Sequence, residues 1–349
     1  MERIPAVIIG LGRIASLLED DPRREKPCTH AGAISANPDC ILAGGCDINE
    51  ERRNLFAEGR GVPVYADAAE MIRIHSPKIA VIATHPDSHY YFCRLAAEQG
   101  VQVIIWEKPL ADTVSAARKI ACLAKPHDLN RHARSGPVII TNHERRYSAD
   151  YIKAKEILSS EKLGTLLSVR SVLYMGMNSR LLDVLWHDGT HLADAIMFLT
   201  GLNLKHRKKW GTELTKAYGT AWLLGELKKP GTVSGAASGT IPVIMEIGAG
   251  RDHIVFEIEF TCTKGRLRIG NGVFEIWESD ESPYAEKFRS LKPAGGITNR
   301  IFEGPTGYFA NMIADAVSCV RENGRQPVST ARDGLAVIEY LNSVKAWRR

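Results

Sequence analysis

Apolar runs such as Ala6-Val7-Ile8-Ile9, Ile79-Ala80-Val81-Ile82 and Val103-Ile104-Ile105-Trp106 punctuate the first 125 residues, separated by longer segments of mixed apolar and charged positions. Short runs rich in β-branched residues read as strands buried on both faces, and the mixed segments read as amphipathic helices. The pattern predicts strands at 5–10, 40–46, 79–84 and 101–106. It predicts helices from about 13, at 30–36, 49–58, 87–99 and 112–124. Strands alternating with helices build a parallel sheet covered on both faces, with ligands at the carboxyl ends of the strands. Gly10, Asp47, Thr84 and Glu107 all fall at such ends.

Beyond residue 125 the pattern changes. The stretch 125–137 is polar and broken by Pro and Gly, which reads as a surface loop before a strand at 138–141. A helix near 149–161 is followed by strand-like stretches at 165–174, 212–225, 231–247, 253–262, 266–270 and 272–278, interrupted by one helix at about 187–200. Consecutive strands without crossover helices give an antiparallel sheet. Closing helices are expected at 307–323 and 333–347. The expected organisation is a doubly wound domain at 1–147, a second α/β domain at 148–330 built on an open, mostly antiparallel sheet, and a C-terminal helix at 331–349 packing back on the first domain.

Composition narrows the classes. The chain has 349 residues, which fits roughly two domains of ~100–200 residues each. Its 44% hydrophobic and 24% charged residues are those of a globular protein, and no apolar run approaches the ~18 residues of a membrane span. No secretory segment precedes the first strand, so a cytoplasmic protein is expected. The 7 cysteines are odd in number and form no C-x-x-C pair, which argues for reduced thiols rather than disulfides or zinc. The net charge of +5 is spread among acids, so nucleic-acid binding is not expected.

Chemistry concentrates in a few motifs. Gly10-Leu11-Gly12-Arg13-Ile14-Ala15 follows the first strand as the G-x-G-x-x-A form of the dinucleotide fingerprint, the mark of a Rossmann domain. Its glycines permit a tight turn and close approach of a pyrophosphate to backbone amides, so Gly10, Gly12, Arg13 and Ile14 are cofactor candidates. Asp47 is the candidate for the ribose hydroxyls, or a helix cap, or both; as a carboxylate it favours NAD over NADP. Ala83-Thr84-His85-Pro86 ends another strand, where Thr84, His85 and Pro86 would face the cofactor while Asp87 or Ser88 caps the helix. Lys108, in Trp106-Glu107-Lys108-Pro109-Leu110, is either a strand-end lysine reaching solvent or a proton-handling group beside a nicotinamide. His187 and His191, with Asp188 and Asp194, are open to three readings: a helix start capped by Asp188, a metal pair, or a general base. The metal reading is disfavoured because no further ligand is evident. The insertion from Asp20 to Pro27 is either a solvated loop or a carrier of Arg23, Arg24 and Lys26 for an anionic substrate group.

Together, G-x-G-x-x-A, Ala83-Thr84-x-Pro86-x-x-His89, Glu107-Lys108-Pro109-Leu110, Arg145-Arg146-Tyr147, and Asp188-Gly189-x-His191-x-x-Asp194 with Leu199-x-Gly201 resemble the Gfo/Idh/MocA family, named for glucose-fructose oxidoreductase, inositol dehydrogenase and rhizopine catabolism. The resemblance implies a Rossmann domain joined to an α/β domain whose open sheet forms a homodimer or homotetramer. It implies hydride transfer between NAD and a secondary alcohol of a sugar, cyclitol or nucleotide-linked sugar. Lys108 and His191 would be the catalytic pair, with His89, Glu107 and Lys108 on the cofactor side and Arg146, His187 and Asp188 on the substrate side. This chain departs from the family pattern at His187, where members often carry Asp, and at Glu144, where Asn is common. The same resemblance reaches a non-catalytic NAD(P)-sensing regulator, which would have no use for both Lys108 and His191. Reduction of a C=N or C=C bond is a further alternative.

Overall fold

The structure, a computed structural model, describes residues 2–124, 136–177, 179–228, 239–284, 287–294, 302–322 and 324–346. The chain divides into two compact units: residues 1–148 with 307–338, and residues 149–306 with 339–349. The expected loop at 125–137 falls mostly outside the described residues, as do residues 231–238 of an expected strand.

The first unit is a six-stranded parallel sheet. Its strands are β1 (Ile4–Ile9), β2 (Cys40–Cys46), β3 (Val64–Tyr65), β4 (Ile79–Ile82), β5 (Val103–Trp106) and β6 (Val138–Thr141), in the order β3-β2-β1-β4-β5-β6. Helices α1 (His30–Ala36), α2 (Glu50–Arg60), α3 (Ala68–His75), α4 (His89–Glu98) and α5 (Val114–Leu123) connect them. Alternate residues of each central strand enter different packing layers, as a period of two requires. Ile8, Val81 and Ile105 join one cluster with Ala31 and Ile34 of α1, while Val7, Ile9, Ile82 and Trp106 are buried outside it. That two-sided burial is why these strands read as unbroken apolar runs.

The helix expected from about residue 13 does not form. Residues 12–16 are turns and Leu17–Asp20 is a 3-10 segment, with α1 beginning only at His30. The His30 and Ala31 amides bond to the Ile14 and Ala15 carbonyls at 3.2 and 2.9 Å, so α1 stacks directly on the fingerprint turn and the intervening residues loop out. The loop sequence explains the interruption: Asp21 folds back to accept the Arg23 amide at 3.0 Å, and Pro22 has no N–H for a helical ladder. Sequence reading also passed over β3 and α3, although Asp67 caps α3 through the Ala69 amide at 2.8 Å.

The second unit contains α6 (Ala149–Ser159), β7 (Leu166–Gly176), α7 (Leu181–His187), α8 (Gly189–Thr200) and strands β8 (Leu204–Gly211), β9 (Gly219–Lys228), β10 (Thr240–Arg251), β11 (Val255–Cys262), β12 (Gly265–Gly270), β13 (Val273–Asp280) and β14 (Ser290–Pro293). They form one eight-stranded sheet in the order β14-β13-β12-β11-β7-β10-β9-β8, antiparallel except for the β10–β7 pair. Ile241, Val243, Met245 and Ile247 of β10 and Phe256, Ile258 and Phe260 of β11 alternate into the core, leaving one face more polar. The expected helix at 187–200 is α8, beginning at Gly189; a separate helix, α7, was unforeseen and ends at His187, with Asp188 between the two. The charged run of β8 (Leu-Lys-His-Arg-Lys-Lys-Trp-Gly) has no counterpart among the expected strands because it is an edge strand, where charge replaces alternation.

The chain then returns to the first unit. α9 (Tyr308–Arg321) places Phe309, Met312, Ile313, Ala316 and Val317 in the α1 cluster, so residues 307–330, expected in the second domain, belong with the first. α10 (Ala331–Ala346) divides between the units at Ile338. All seven cysteines are free and all but Cys122 are buried. Among the described residues no helix is long and apolar enough to cross a membrane.

Candidate dinucleotide site and substrate-side residues

Strand register gathers the motifs of the first unit into one row. Ile9 pairs with Cys46 on one side and Ile82 on the other; Ile82 pairs with Trp106, and Trp106 with Thr141. The residues that follow, Asp47, Gly10, Ala83, Glu107 and Asn142, therefore line the carboxyl edge in that order. Gly10 and Ala83 flank the point where strand order reverses, the usual ligand crevice of such sheets.

Local geometry fits a dinucleotide. Gly10 sits at φ +90°, and a Cβ there would lie 2.7 Å from the Ala83 carbonyl oxygen, so only glycine allows the strands this approach. A Cβ on Gly12 would meet nothing within 4 Å, which leaves the backbone open on that side. The Leu11 amide donates to Asp47 Oδ2 at 2.8 Å, tying the turn to the end of β2. Because α1's first amides are spent on Ile14 and Ala15, the turn at residues 12–14, not a helix terminus, is what the fingerprint presents at the carboxyl edge of the sheet. Arg13 is exposed and Ile14 half-buried on that turn.

The neighbouring groups hold one another in place. Asn49, not Asp47, caps α2, through the Arg52 amide at 3.0 Å; Asp47 Oδ1 accepts the Asn49 amide at 2.9 Å. At the β4 end neither Asp87 nor Ser88 caps α4: the Ser88 hydroxyl faces Thr84 Oγ1 and the His85 carbonyl, each at 2.8 Å. His85 is exposed and Pro86 half-buried. His89 is buried between the β4 loop and the segment after Lys108, with Nε2 3.1 Å from the Thr84 carbonyl and Nδ1 3.2 Å from the Leu110 carbonyl, to one of which a neutral ring donates its single N–H. Burial pulls its imidazole below the ordinary range, against those two carbonyls.

Glu107 is buried, and its Oε1 receives His30 Nε2 and Asn142 Nδ2, both at 2.7 Å. Burial pushes its carboxyl up, but the His30 hydrogen bond and charge, then Asn142 and Lys108, outweigh it and hold the carboxyl below its usual range. Glu107 is thus an internal anchor for the segment carrying Lys108, which is half-buried and precedes a cis peptide to Pro109. His30 and Asn142 were missed from sequence. His30 lies just past the insertion and Asn142 one residue beyond β6, and only the row of strand ends shows that both reach Glu107.

Residues 4–132 match the family model described as an oxidoreductase family with an NAD-binding Rossmann fold, Gfo/Idh/MocA. The match covers the stretch that holds strands β1 to β5, so it is a likeness of that part of the chain to the family's Rossmann domain. Curated relatives include the uncharacterized oxidoreductase YhhX of Escherichia coli, 30% identical over 31% of each chain, and an inositol 2-dehydrogenase of Rubrobacter xylanophilus, 25% identical over 47% of this chain and 42% of that one. The stretch matched to YhhX spans about a third of that relative's length. Two solved structures share the whole fold. A candidate NADPH-dependent oxidoreductase from Desulfitobacterium hafniense has TM-score 0.76 at 17% identity, covering 99% of this chain and 96% of that one. UDP-N-acetylglucosamine 3-dehydrogenase GnnA from Acidithiobacillus ferrooxidans has TM-score 0.72 at 16% identity, covering 99% and 97%. At these identities the likeness is one of fold.

The residues expected on the substrate side divide between the units. Arg146 lies in the first unit and is buried, its Nη1 3.1 Å from Asp333 and 3.3 Å from the Val328 carbonyl. In the second unit, His187 ends α7 and is exposed, Asp188 forms the junction, and His191 is half-buried in the first turn of α8. Asp188 makes no side-chain cap; its carbonyl accepts the His191 amide at 3.1 Å. The break at Asp188 removes the continuous helix on which His187 and His191 were expected to share a face. Among the described residues no group of three or more His, Cys, Asp or Glu is placed to hold a metal ion.

The insertion is pinned to its own unit. Lys26 Nζ is held by the Leu18 carbonyl at 3.3 Å and by the Glu19 carbonyl, Arg24 pairs with Asp21 at 3.2 Å, and Glu25 accepts the Gly307 amide at 2.8 Å. Of the three basic residues considered for an anionic substrate, Arg24 and Lys26 are engaged locally. Arg23 remains at the exposed tip.

Proposed function

We propose that the chain is an NAD-dependent oxidoreductase that moves a hydride between nicotinamide and a secondary alcohol or ketone of a sugar, cyclitol or nucleotide-linked sugar. The observation that carries this reading is the single row formed by Asp47, the Gly10 turn, Ala83-Thr84 and Glu107-Lys108 at the carboxyl edge of the sheet. The names of the relatives, an inositol 2-dehydrogenase and a UDP-N-acetylglucosamine 3-dehydrogenase, support a polyol or sugar substrate.

In this reading Gly10, Gly12, Arg13, Ile14, Asp47, Thr84, His85 and Pro86 line the cofactor's path, and His89 and Glu107 keep that lining in shape. The bound cofactor supplies the hydride acceptor at its nicotinamide. Lys108, anchored through Glu107, orients the substrate hydroxyl and helps move its proton, and His191 takes that proton as general base. Arg146 braces the segment after β6 through Asp333, while His187 and Asp188 set which substrate is accepted. The outer face of the second sheet serves self-association into a dimer or tetramer.

The test is NADH fluorescence titrated with the purified protein, followed by a panel of inositols, keto-sugars and sugar nucleotides with wild type, Lys108→Ala and His191→Asn. Turnover in wild type that is lost in both variants, with NADH affinity kept in His191→Asn, supports the reading. NADH binding without turnover across the panel would replace it with a dinucleotide-sensing role.

A further inference from the structure

The fingerprint turn of this chain is not continued by the helix that ordinarily holds such a turn in shape. It is held instead by the segments that leave and re-enter it. The Ser16 amide donates to the Gly12 carbonyl at 3.2 Å and the Leu18 amide to the Arg13 carbonyl at 3.0 Å, while the returning His30 and Ala31 amides bond to Ile14 and Ala15. The turn therefore keeps one shape only while residues 16–20 and 28–31 are held together across the insertion.

Glu19 makes that closure. Its Oε2 accepts the Thr29 hydroxyl at 2.6 Å and the Cys28 amide at 3.1 Å. Thr29 in turn caps α1, its Oγ1 accepting the Gly32 amide at 3.1 Å. A Cβ on Gly32 would overlap the Glu19 carboxyl, so the carboxyl rests against the helix in the space that the missing side chain leaves. Arg60 of α2 steadies the outgoing segment, donating to the Ser16 hydroxyl and carbonyl, each at 3.1 Å. Lys26 spans the gap from an exposed position, with Nζ on the Leu18 and Glu19 carbonyls. Glu19, half-buried, is the side chain that reaches α1 itself.

We propose that Glu19 is a positioning residue for the dinucleotide: by tying the outgoing segment to the start of α1 it preforms the turn at residues 12–14 to receive the pyrophosphate, without touching the cofactor. The inference rests on the dinucleotide reading above. A turn already in shape binds without the ordering cost that a loose one meets on binding, and a site shaped in only a fraction of molecules loses affinity by that fraction. What the closure needs is an acceptor at this place, because both donors are neutral and meet one oxygen.

The experiment is an NADH fluorescence titration of wild type, Glu19→Ala and Glu19→Gln, with thermal melts to show that each is folded and hydrogen exchange of the Ser16 and Leu18 amides in the free proteins. Glu19→Ala should weaken NADH by about tenfold and speed exchange at both amides, as loss of an acceptor shared by two donors requires. Glu19→Gln, whose carbonyl oxygen can take the same two donors, should stay within about threefold of wild type and keep both amides protected. Glu19→Asp, one methylene shorter, carries the expectation of the alanine variant should that variant unfold. NADH affinity unchanged in the shortened variant confines Glu19 to loop stability and overturns the proposal, as does Glu19→Gln binding as weakly as Glu19→Ala; either result leaves the dinucleotide reading standing. Failure of wild type to bind NADH overturns both.

Discussion

Replacing His30 with alanine tests whether the carboxyl edge of the sheet is held by a buried polar knot. The His30 and Glu107 side chains are 0% and 11% exposed with 2.7 Å between Nε2 and Oε1. Removing one partner of a buried pair leaves a desolvated charge and costs about 3–5 kcal/mol. Asn142 Nδ2 stays on the same oxygen at 2.7 Å, so the lower end, about 3 kcal/mol, is expected for His30→Ala. Glu107→Gln keeps the shape and the two donors, and should cost about 1 kcal/mol. In the Glu107→Gln background no charge is stranded, and His30→Ala should fall to about 1–2 kcal/mol, the value of a neutral hydrogen bond and some lost packing. Urea unfolding suits the measurement, because guanidinium salts screen the interaction being measured. Hydrogen exchange of residues 103–107 would localise the effect to β5. Equal costs of His30→Ala in both backgrounds, within about 0.5 kcal/mol, would refute the coupling. The same pair predicts a pH effect. The Glu107 carboxyl is held below its ordinary 4.5, so below that value the unfolded chain binds the proton first. The advantage of wild type over Glu107→Gln should be full at neutral pH and shrink as pH falls through the folded value.

Two further outcomes follow from the structure. Gly10→Ala places a methyl 2.7 Å from the Ala83 carbonyl at φ +90°, so it should lower stability by about 2 kcal/mol or more and abolish NADH binding; a thermal melt and a titration unchanged from wild type would refute the close-approach argument. His206 is held down to about 4 by burial and then by Lys209, so between that value and the ordinary 6.5 the unfolded chain binds a proton the folded chain refuses. Stability should therefore fall as pH drops from 6.5 toward 4, and urea midpoints of His206→Leu should show a flatter fall over that range.

The contrast between elements read well and read poorly has a physical cause. β1, β4 and β5 were legible because burial on both faces leaves an uninterrupted apolar run, and they end within two residues of the predicted positions, just ahead of the glycine turn, Thr84 and Glu107-Lys108. β8 was not, because an edge strand bearing Lys205, Arg207, Lys208 and Lys209 has neither alternation nor hydrophobicity. The missing helix after Gly12 was invisible because the fingerprint itself is intact; what ends the helix is the inserted Asp21-Pro22 turn, and what restores it is His30 and Ala31 reaching back to Ile14 and Ala15 across that insertion.

The sequence by itself determined the class of this protein: strand–helix alternation, a glycine turn after the first strand, a lysine just past the strand at 101–106 and a change to consecutive strands beyond residue 160 are local patterns, each specified by neighbours along the chain. Only the tertiary structure decided what those residues do to one another. Parallel register brings Asp47, Gly10, Ala83, Glu107 and Asn142 into one row although they lie up to 132 positions apart. Burial then turns Glu107 from a candidate cofactor ligand into an anchor held by His30 and Asn142, and Asp47 from a free carboxylate into one spent on two backbone amides. Hydrogen-bond partners at such separations depend on how strands pair and which side chains lose water, and neither is written in the spacing of residues along the chain.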